Sequence, residues 1–339
     1  GLSVILVNCA LCWLHHARHR SPILGAELSH TYDERSRLFG WREVFVIAGM
    51  TIVLALPAGL ELTGFNDQAS KVASMGWFCL ILFPVLVLPT LIMVPDSHTS
   101  TQSQVPWADA MRILINNSLM WRLLLADLAS GFGTAVSGAL YIFVASAYFK
   151  LPEQASIALL FYFLTSFLAM PMWLNLAYRV GKDTALKIAL VYAVVINLGL
   201  LLVAEEGNVA VLWGFTIAFG VAFGAAPTLL RSMMADLTDE DTLRTGQQRA
   251  GLFFALLTTT NKLGAALAVG ASFAILEVVF DFVPGGDNAQ SALDGLLVTY
   301  AVGTAGGLFI AFIALLGYPL NKQAHDKIRA QLDAGQGGG

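Results

Sequence analysis

Eight apolar stretches, each long enough to cross a lipid bilayer, follow one another along this chain of 339 residues. A helix needs about 20 apolar residues to span the hydrocarbon core. The stretches are continuous and do not alternate, which favours helices over the strands of a membrane barrel. Charged residues make up only 12% of the chain, about half the share found in soluble proteins. The sequence therefore predicts an all-α polytopic membrane protein, with spans near residues 43–61, 72–94, 119–148, 155–178, 184–204, 208–231, 250–279 and 295–319.

The basic residues divide unequally between the two sides of the predicted membrane. If the loop before the first full span is cytoplasmic, 16 of the 19 Lys and Arg residues lie on the cytoplasmic side. Only Lys71 and Lys150 lie on the outer side, and Lys262 lies within a span. This distribution satisfies the positive-inside rule. It places the tail after residue 319 in the cytoplasm.

Two of the predicted cytoplasmic loops resemble each other. The segments GAELSHTYDERSRLFGWREVF (25–45) and MADLTDEDTLRTGQQRAGLFF (234–254) share Ala, an acidic residue, Leu and Ser or Thr, followed by further acidic residues and then arginines. Six predicted spans lie between the two copies, so a duplicated bundle predicts twelve helices in all. The second copy follows the fourth helix of its half. By the same count, the chain is expected to begin inside helix four of the first half and to be N-terminally incomplete.

On these two segments the sequence resembles the glycoside–pentoside–hexuronide:cation symporters, the melibiose-permease-like branch of the major facilitator superfamily. The second segment continues as FFALLTTTNKLGAAL and is the more specific of the two. The resemblance implies cation-coupled symport of a sugar or glycoside by alternating access, carried out by a monomer in the bacterial inner membrane. It also implies the major facilitator fold, comprising the remainder of an N-terminal bundle (1–94), a central cytoplasmic loop (95–118), a complete six-helix C-terminal bundle (119–319) and a cytoplasmic tail (320–339).

Lys262 lies in the middle of the span 250–279, thirteen residues after Arg249 and therefore roughly 20 Å deep. A lysine that snorkels to the interface is the simpler interpretation, but its side chain reaches only about 6 Å. An ionisable residue at this depth usually faces a polar cavity or a partner. The family places at this position a lysine that lines the sugar cavity and helps to organise the cation site. The resemblance thus implies a substrate-binding role for Lys262, together with its neighbours Asn261 and Thr258.

Two further charged residues lie at or inside predicted spans. Arg42 opens the first full span in GWREVF, where an arginine is ordinarily a topological anchor. The family has a sugar-contacting arginine at the matching position, and the guanidinium fork suits hydroxyls or a carboxylate. Asp127, in WRLLLADLASGFG, is either an interfacial acid or a charge that faces the substrate cavity. Both residues are therefore candidates for substrate binding.

The charged residues of the two repeated loops are candidates for a cytoplasmic gate. Their simplest interpretation is a set of solvated charges that cap helices. Because they occur twice at equivalent positions, they are also suited to ion pairs between the two bundles, each weak enough (about 0–1 kcal/mol) to open in every cycle. The gating candidates are Asp33, Glu34, Arg35, Asp236, Asp239, Asp241, Arg244 and Arg249.

The resemblance also implies where the coupling cation binds. In the resembling family its site uses acidic residues on the second and fourth helices. Most of that site is expected to lie outside this chain, and residues 1–20 end in HHARHR where an apolar fourth helix is expected. The sequence therefore leaves two questions open: whether the coupling cation is a proton or sodium, and whether this chain is active or an inactive fragment.

Other classes of function find little support in the sequence. It has no phosphate-binding Gly-rich loop, no metal-ligand spacing and no serine elbow, so we expect neither an enzyme nor a cofactor other than the cation. We expect contact with membrane lipid and no nucleic-acid partner. Two alternatives stay open: transport of a lysolipid-like or other amphipathic substrate by the same fold, and a non-transporting membrane sensor.

Overall fold

The computed structural model describes residues 32–62, 68–93, 117–245 and 249–319. Within these ranges the chain forms helices and no β-strand, which confirms the predicted all-α architecture. The helices are α1 (Tyr32–Leu62), α2 (Gln68–Met93), α3 (Ser118–Phe143, prolonged by a π-helical turn at Val144–Tyr148), α4 (Pro152–Val180), α5 (Lys182–Val203), α6 (Val209–Phe223), α7 (Ala225–Thr245), α8 (Ala250–Phe280) and α9 (Gln290–Ala314).

Six helical segments in the described ranges are long and apolar enough to cross a membrane. They are Ser118–Tyr148, Pro152–Val180, Lys182–Val203, Val209–Thr245, Ala250–Phe280 and Gln290–Ala314; α2 contains a shorter apolar segment, Ala73–Val85. Large apolar side chains point outward from them, including Leu168, Leu202 and Val278, which are 66%, 88% and 80% exposed. Extensive apolar exposure of this kind marks a membrane or partner surface. The described helices therefore turn an apolar surface to the lipid.

The structure corrects the sequence prediction between residues 208 and 249. The predicted span 208–231 is divided, because α6 ends at Phe223 and α7 begins after Gly224. Pro227 has no amide proton to donate to the Phe223 carbonyl, which favours a break in the helical hydrogen bonds at this point. α7 then continues to Thr245. Most of the segment predicted to be a loop, 234–249, is thus helical.

Glycines bring the backbone of α3 into direct contact with α8 and α9. A Cβ atom added at Gly133 would lie 2.7 Å from the Thr304 carbonyl oxygen, and one at Gly307 would lie 2.6 Å from the Gly133 nitrogen. On the α8 side, a Cβ at Gly264 would overlap the Leu128 carbonyl oxygen. Small residues permit such close helix contacts in membranes, where packing rather than the hydrophobic effect drives association. These contacts fix α3 between its two neighbours.

The other contacts place α1 on the outside of this bundle. α1 packs against α4 and α7. Its Gly40 faces the side chain of Leu174, and its Ile47 is fully buried. α6 approaches α4 just as closely, since a Cβ at Gly220 would lie 2.5 Å from the Tyr162 carbonyl oxygen. The polar side chains discussed below lie along these contacts.

Candidate functional site

Asp127 is a buried carboxylate that joins α3 to α8. Its side chain is 5% exposed. The Thr260 hydroxyl donates to its Oδ2 at 3.2 Å, and the Asn261 amide donates to its Oδ1 at 3.4 Å. Gly131, one turn further along α3, leaves room for this approach, because a Cβ there would lie 2.9 Å from Asn261 Nδ2. A buried charge needs such donors. The structure thus brings together two of the predicted site residues, Asp127 and Asn261.

Lys262 lies next to this pair but faces away from α3. The residue is exposed, as are Thr258 and Thr259 on the same side of α8. Both threonine hydroxyls donate to carbonyl oxygens of their own helix, those of Phe254 and Ala255, at 2.8 Å. Lys262 has no ion-pair partner among the described residues. The structure therefore places Lys262 and Thr258 on one open face, and it does not bring them to Asp127.

A second charged cluster links α1 to α7. Glu43 is 6% exposed, and its Oε2 lies 3.3 Å from Arg231 Nη1 and 3.8 Å from Arg42 Nη1. Arg231 also donates to the Pro227 carbonyl at 2.9 Å. Arg42 Nη1 is buried without a hydrogen-bond partner in the described part of the chain. Two guanidinium groups thus converge on one carboxylate where α1 meets the bundle.

The sequence analysis missed Glu43, although a signal for it exists. An acidic residue directly after Arg42 at the start of an apolar span is costly unless it has a partner. The partner, Arg231, is 188 residues away in the chain. Sequence spacing alone could not identify it.

Two acidic residues of α7, Asp236 and Asp241, form ion pairs within the C-terminal part of the chain. Lys182 Nζ donates to both carboxylate oxygens of Asp236, at 2.9 and 2.7 Å, and both residues are 1% exposed. Lys182 reaches this position because α4 and α5 are joined by one residue, Gly181, whose φ of 91° a glycine adopts readily. Asp239 is also buried, 8% exposed. These acids are therefore not the solvated charges of the simplest interpretation.

Asp241 holds the end of α7 against the start of α8. Arg249 donates to it through Nε and Nη2, both at 3.0 Å, and Arg244 Nη2 lies 3.6 Å from Asp241 Oδ1. Bidentate hydrogen bonds between arginine and a carboxylate are stronger than hydrogen bonds between neutral groups. All of these partners lie within α5 and α7 or directly before α8. The corresponding candidates on α1, Asp33, Glu34 and Arg35, have side chains outside the described part, so an ion-pair gate between bundles stays a prediction.

An aromatic cavity of about 260 Å³ lies between α3, α4 and α6. Asn261 and Ala265 of α8 and Met50 of α1 contribute to its wall, and none of the described residues that line it is charged. Asn261 is the only predicted site residue among those described lining residues. The aromatic rings that line this cavity are those of Tyr141, Tyr162, Phe163, Phe215, Phe219, Phe223 and Tyr300.

The hydroxyl groups of this aromatic cavity are largely paired with the protein itself. Thr216 donates to the Leu212 carbonyl at 2.7 Å, so Tyr141 donates to Thr216 across 3.1 Å. Ser137 and Tyr300 share a hydrogen bond of 3.1 Å. These bonds fix the rings in place, and they leave mainly apolar surface toward the cavity.

Comparison with known proteins identifies the type of protein to which these features belong. The family described as "MFS/sugar transport protein" matches residues 16–322. The chain belongs to this family. Its fold is therefore that of the major facilitator superfamily, and the family consists of transporters rather than enzymes.

Two curated relatives are symporters of low sequence identity. An uncharacterized symporter of Synechocystis sp. is 27% identical over 239 residues, which cover 68% of this chain and 44% of the relative. The sodium-dependent lysophosphatidylcholine symporter 1-A of Danio rerio is 25% identical over 242 residues, 70% of this chain and 44% of the relative. The matched region spans less than half the length of either relative. The family resemblance expected from the two loop segments is confirmed.

Proposed function

We propose that this protein is a secondary active transporter that couples the movement of a sugar or glycoside to a proton or sodium gradient by alternating access. The observation that carries the proposal is the hydrogen-bonded pair Asp127–Asn261 beside the exposed Lys262. Polar groups at this depth in apolar helices mark substrate and ion pathways. Asn261 belongs both to this group and to the wall of the aromatic cavity, so a substrate bound there would contact the two together.

The substrate is proposed to bind between the C-terminal helices and α1, with Lys262, Asn261 and Thr258 on one side and Arg42 on the other. The buried pairs of Asp236 and Asp241 would hold α5, α7 and α8 as one unit during the movement. We infer that the gate residues of α1 act against this unit. The transporter would work as a monomer in the bacterial inner membrane, with its C-terminal tail in the cytoplasm.

The proposal is tested by uptake into proteoliposomes containing the purified protein. Labelled glycosides, pentosides and glucuronides are supplied under an imposed proton gradient, an imposed sodium gradient, or neither. We expect gradient-dependent uptake that Lys262→Ala abolishes. The matched control is Lys150→Ala. Lys150 is exposed, lies away from the site, and pairs with Glu206 at an Nζ–Oε1 distance of 2.5 Å. Uptake that needs no gradient, or equal uptake by both variants, would contradict the proposal.

Transport of a lysolipid is the second candidate function. The absence of charge among the described residues lining the aromatic cavity suits an apolar chain, and one relative is a lysophosphatidylcholine symporter. The same proteoliposomes distinguish the two candidates. Sodium-dependent uptake of labelled lysophosphatidylcholine, with no uptake of any sugar, would replace the sugar proposal with this one.

A further inference from the structure

We propose that the aromatic cavity is a binding subsite for the aglycone of the substrate, and that the transported glycosides carry an aromatic ring. This inference rests on the proposed function, because it assigns the non-sugar part of the same substrate. The sugar would lie outside the cavity, beside Asn261 and Lys262.

The volume of the cavity is sufficient for one aromatic ring. An apolar protein cavity of about 150 Å³ binds benzene. The aromatic cavity measures about 260 Å³, so it has room for a ring with a small substituent and for the atom that links the ring to the sugar.

The wall of the cavity favours an aromatic occupant over the sugar itself. Its rings already pack on one another at several angles, as Tyr162 does on Phe223, with centroids 5.2 Å apart and planes 56° apart, and Phe215 on Tyr300, at 5.9 Å and 69°. Aromatic pairs prefer such tilted arrangements at 4.5–7 Å, and a bound ring can adopt the same geometry. A sugar would instead require free hydrogen-bonding groups.

Most of the hydroxyl protons at the wall already bind to the protein, and Tyr162 is the described lining residue whose hydroxyl is left toward the cavity. The Tyr141 and Thr216 hydroxyl protons are used within the protein, and Ser137 is bonded to Tyr300. Thr134 donates to the Ser130 carbonyl at 2.9 Å. These hydroxyls can still accept hydrogen bonds from a sugar, but most of them have no proton left to donate to its oxygens. Burying the sugar oxygens here would leave those oxygens without donors, which is unfavourable. The amide of Asn261 marks the point at which the wall becomes polar, and there the glycosidic oxygen would lie.

Gly138 provides a way to fill the cavity without disturbing its wall. It lines the cavity, and a Cβ added there meets no atom within 4 Å. A Gly138→Leu side chain would occupy the proposed ring position. The matched control is Gly199→Leu on α5, a helical glycine whose added Cβ also meets nothing within 4 Å and which does not line the cavity.

The test measures binding to the purified full chain by titration calorimetry. The ligands are the 4-nitrophenyl and the methyl glycosides of glucose, galactose, xylose and glucuronic acid. For the sugar that binds, we expect the nitrophenyl form to bind about 10- to 100-fold more tightly than the methyl form, the ratio typical of burying one aromatic side chain. Gly138→Leu should abolish this ratio while keeping methyl glycoside affinity, which also shows that the variant is folded. Gly199→Leu should leave the ratio unchanged.

Three other results would overturn the inference, and they separate it from the proposed function. Equal affinity for both forms, with gradient-dependent uptake of both, would leave the sugar symporter intact and refute the aglycone subsite. A nitrophenyl preference that Gly138→Leu does not reduce would place the ring elsewhere. Failure of every glycoside to bind or to be taken up would refute the proposed function, and the subsite with it.

Discussion

Gly264 is the position at which one methyl group should do most damage to the candidate site. An added Cβ would overlap the Leu128 carbonyl oxygen and lie 3.0 Å from the Phe132 nitrogen. Both atoms belong to the backbone of α3, so no side-chain rotation can relieve the contact, and α8 must move away from α3. Overpacking of this kind costs about 1–3 kcal/mol. Against it stands the gain of about 0.5–1 kcal/mol that alanine has over glycine in a helix.

Gly270→Ala, on the same helix, isolates the cost of the contact. A Cβ at Gly270 meets nothing within 4 Å, so this variant should show only the gain from helix propensity. We expect Gly264→Ala to be less stable than Gly270→Ala by about 1–3 kcal/mol in the free energy of unfolding, measured by denaturant titration in mild detergent. Its glycoside uptake should also fall, because Asn261 lies one turn away. Equal stability of the two variants would refute the close packing of α3 on α8.

Two further predictions concern the buried ion pairs. Asp241→Asn should lower the free energy of unfolding by about 3–5 kcal/mol, because it leaves the buried Arg249 without its carboxylate. Denaturant titration measures this loss. The double variant Asp241→Asn with Arg249→Gln should recover part of it. Glu43→Gln should weaken the contact of α1 with α7 and lower the free energy of unfolding by about 1–3 kcal/mol. The double variant with Arg231→Gln should be more stable than Glu43→Gln alone. If the loss in the double variant equals the sum of the losses in the two single variants, Glu43 and Arg231 do not interact.

Most of the helices could be predicted from the sequence, because their apolar stretches are long and continuous. The predicted spans for α3, α4, α5, α8 and α9 agree with the structure within five residues at either end. The span predicted at 208–231 lies within the apolar segment Val209–Thr245, which is long enough to cross a membrane but is interrupted at Gly224 between α6 and α7. Apolar composition continues through Gly224 without interruption, so hydropathy could not reveal the break.

The acidic segment of α7 shows why charge alone misleads. Asp236, Asp239 and Asp241 suggested a loop, since charged residues are rarely buried unless paired. Two of these acids have identified cationic partners: Asp236 pairs with Lys182 at the start of α5, and Asp241 pairs with Arg249 directly before α8. Pairing permits their burial and allows α7 to continue as a helix. The sequence shows the charges, but it cannot show which of them meet in three dimensions.

The candidate site was predictable residue by residue but not as an arrangement. Depth within a span identified Lys262, and adjacency identified Asn261. The aromatic cavity went unnoticed because its rings come from four helices: Tyr141 on α3, Tyr162 on α4, Phe215 on α6 and Tyr300 on α9. In each helix taken alone, they look like ordinary apolar residues. A cavity between several helices leaves no periodic signal in any one of them.

The orientation of Lys262 follows from its neighbours rather than from a partner of its own. Successive residues of a helix differ in direction by about 100°, so the hydrogen bond from Asn261 to Asp127 determines where Lys262 points. The contact at Gly264 limits rotation of α8 further. A substitution of Asp127 should therefore impair transport as much as loss of Lys262 itself, although the two side chains face different ways.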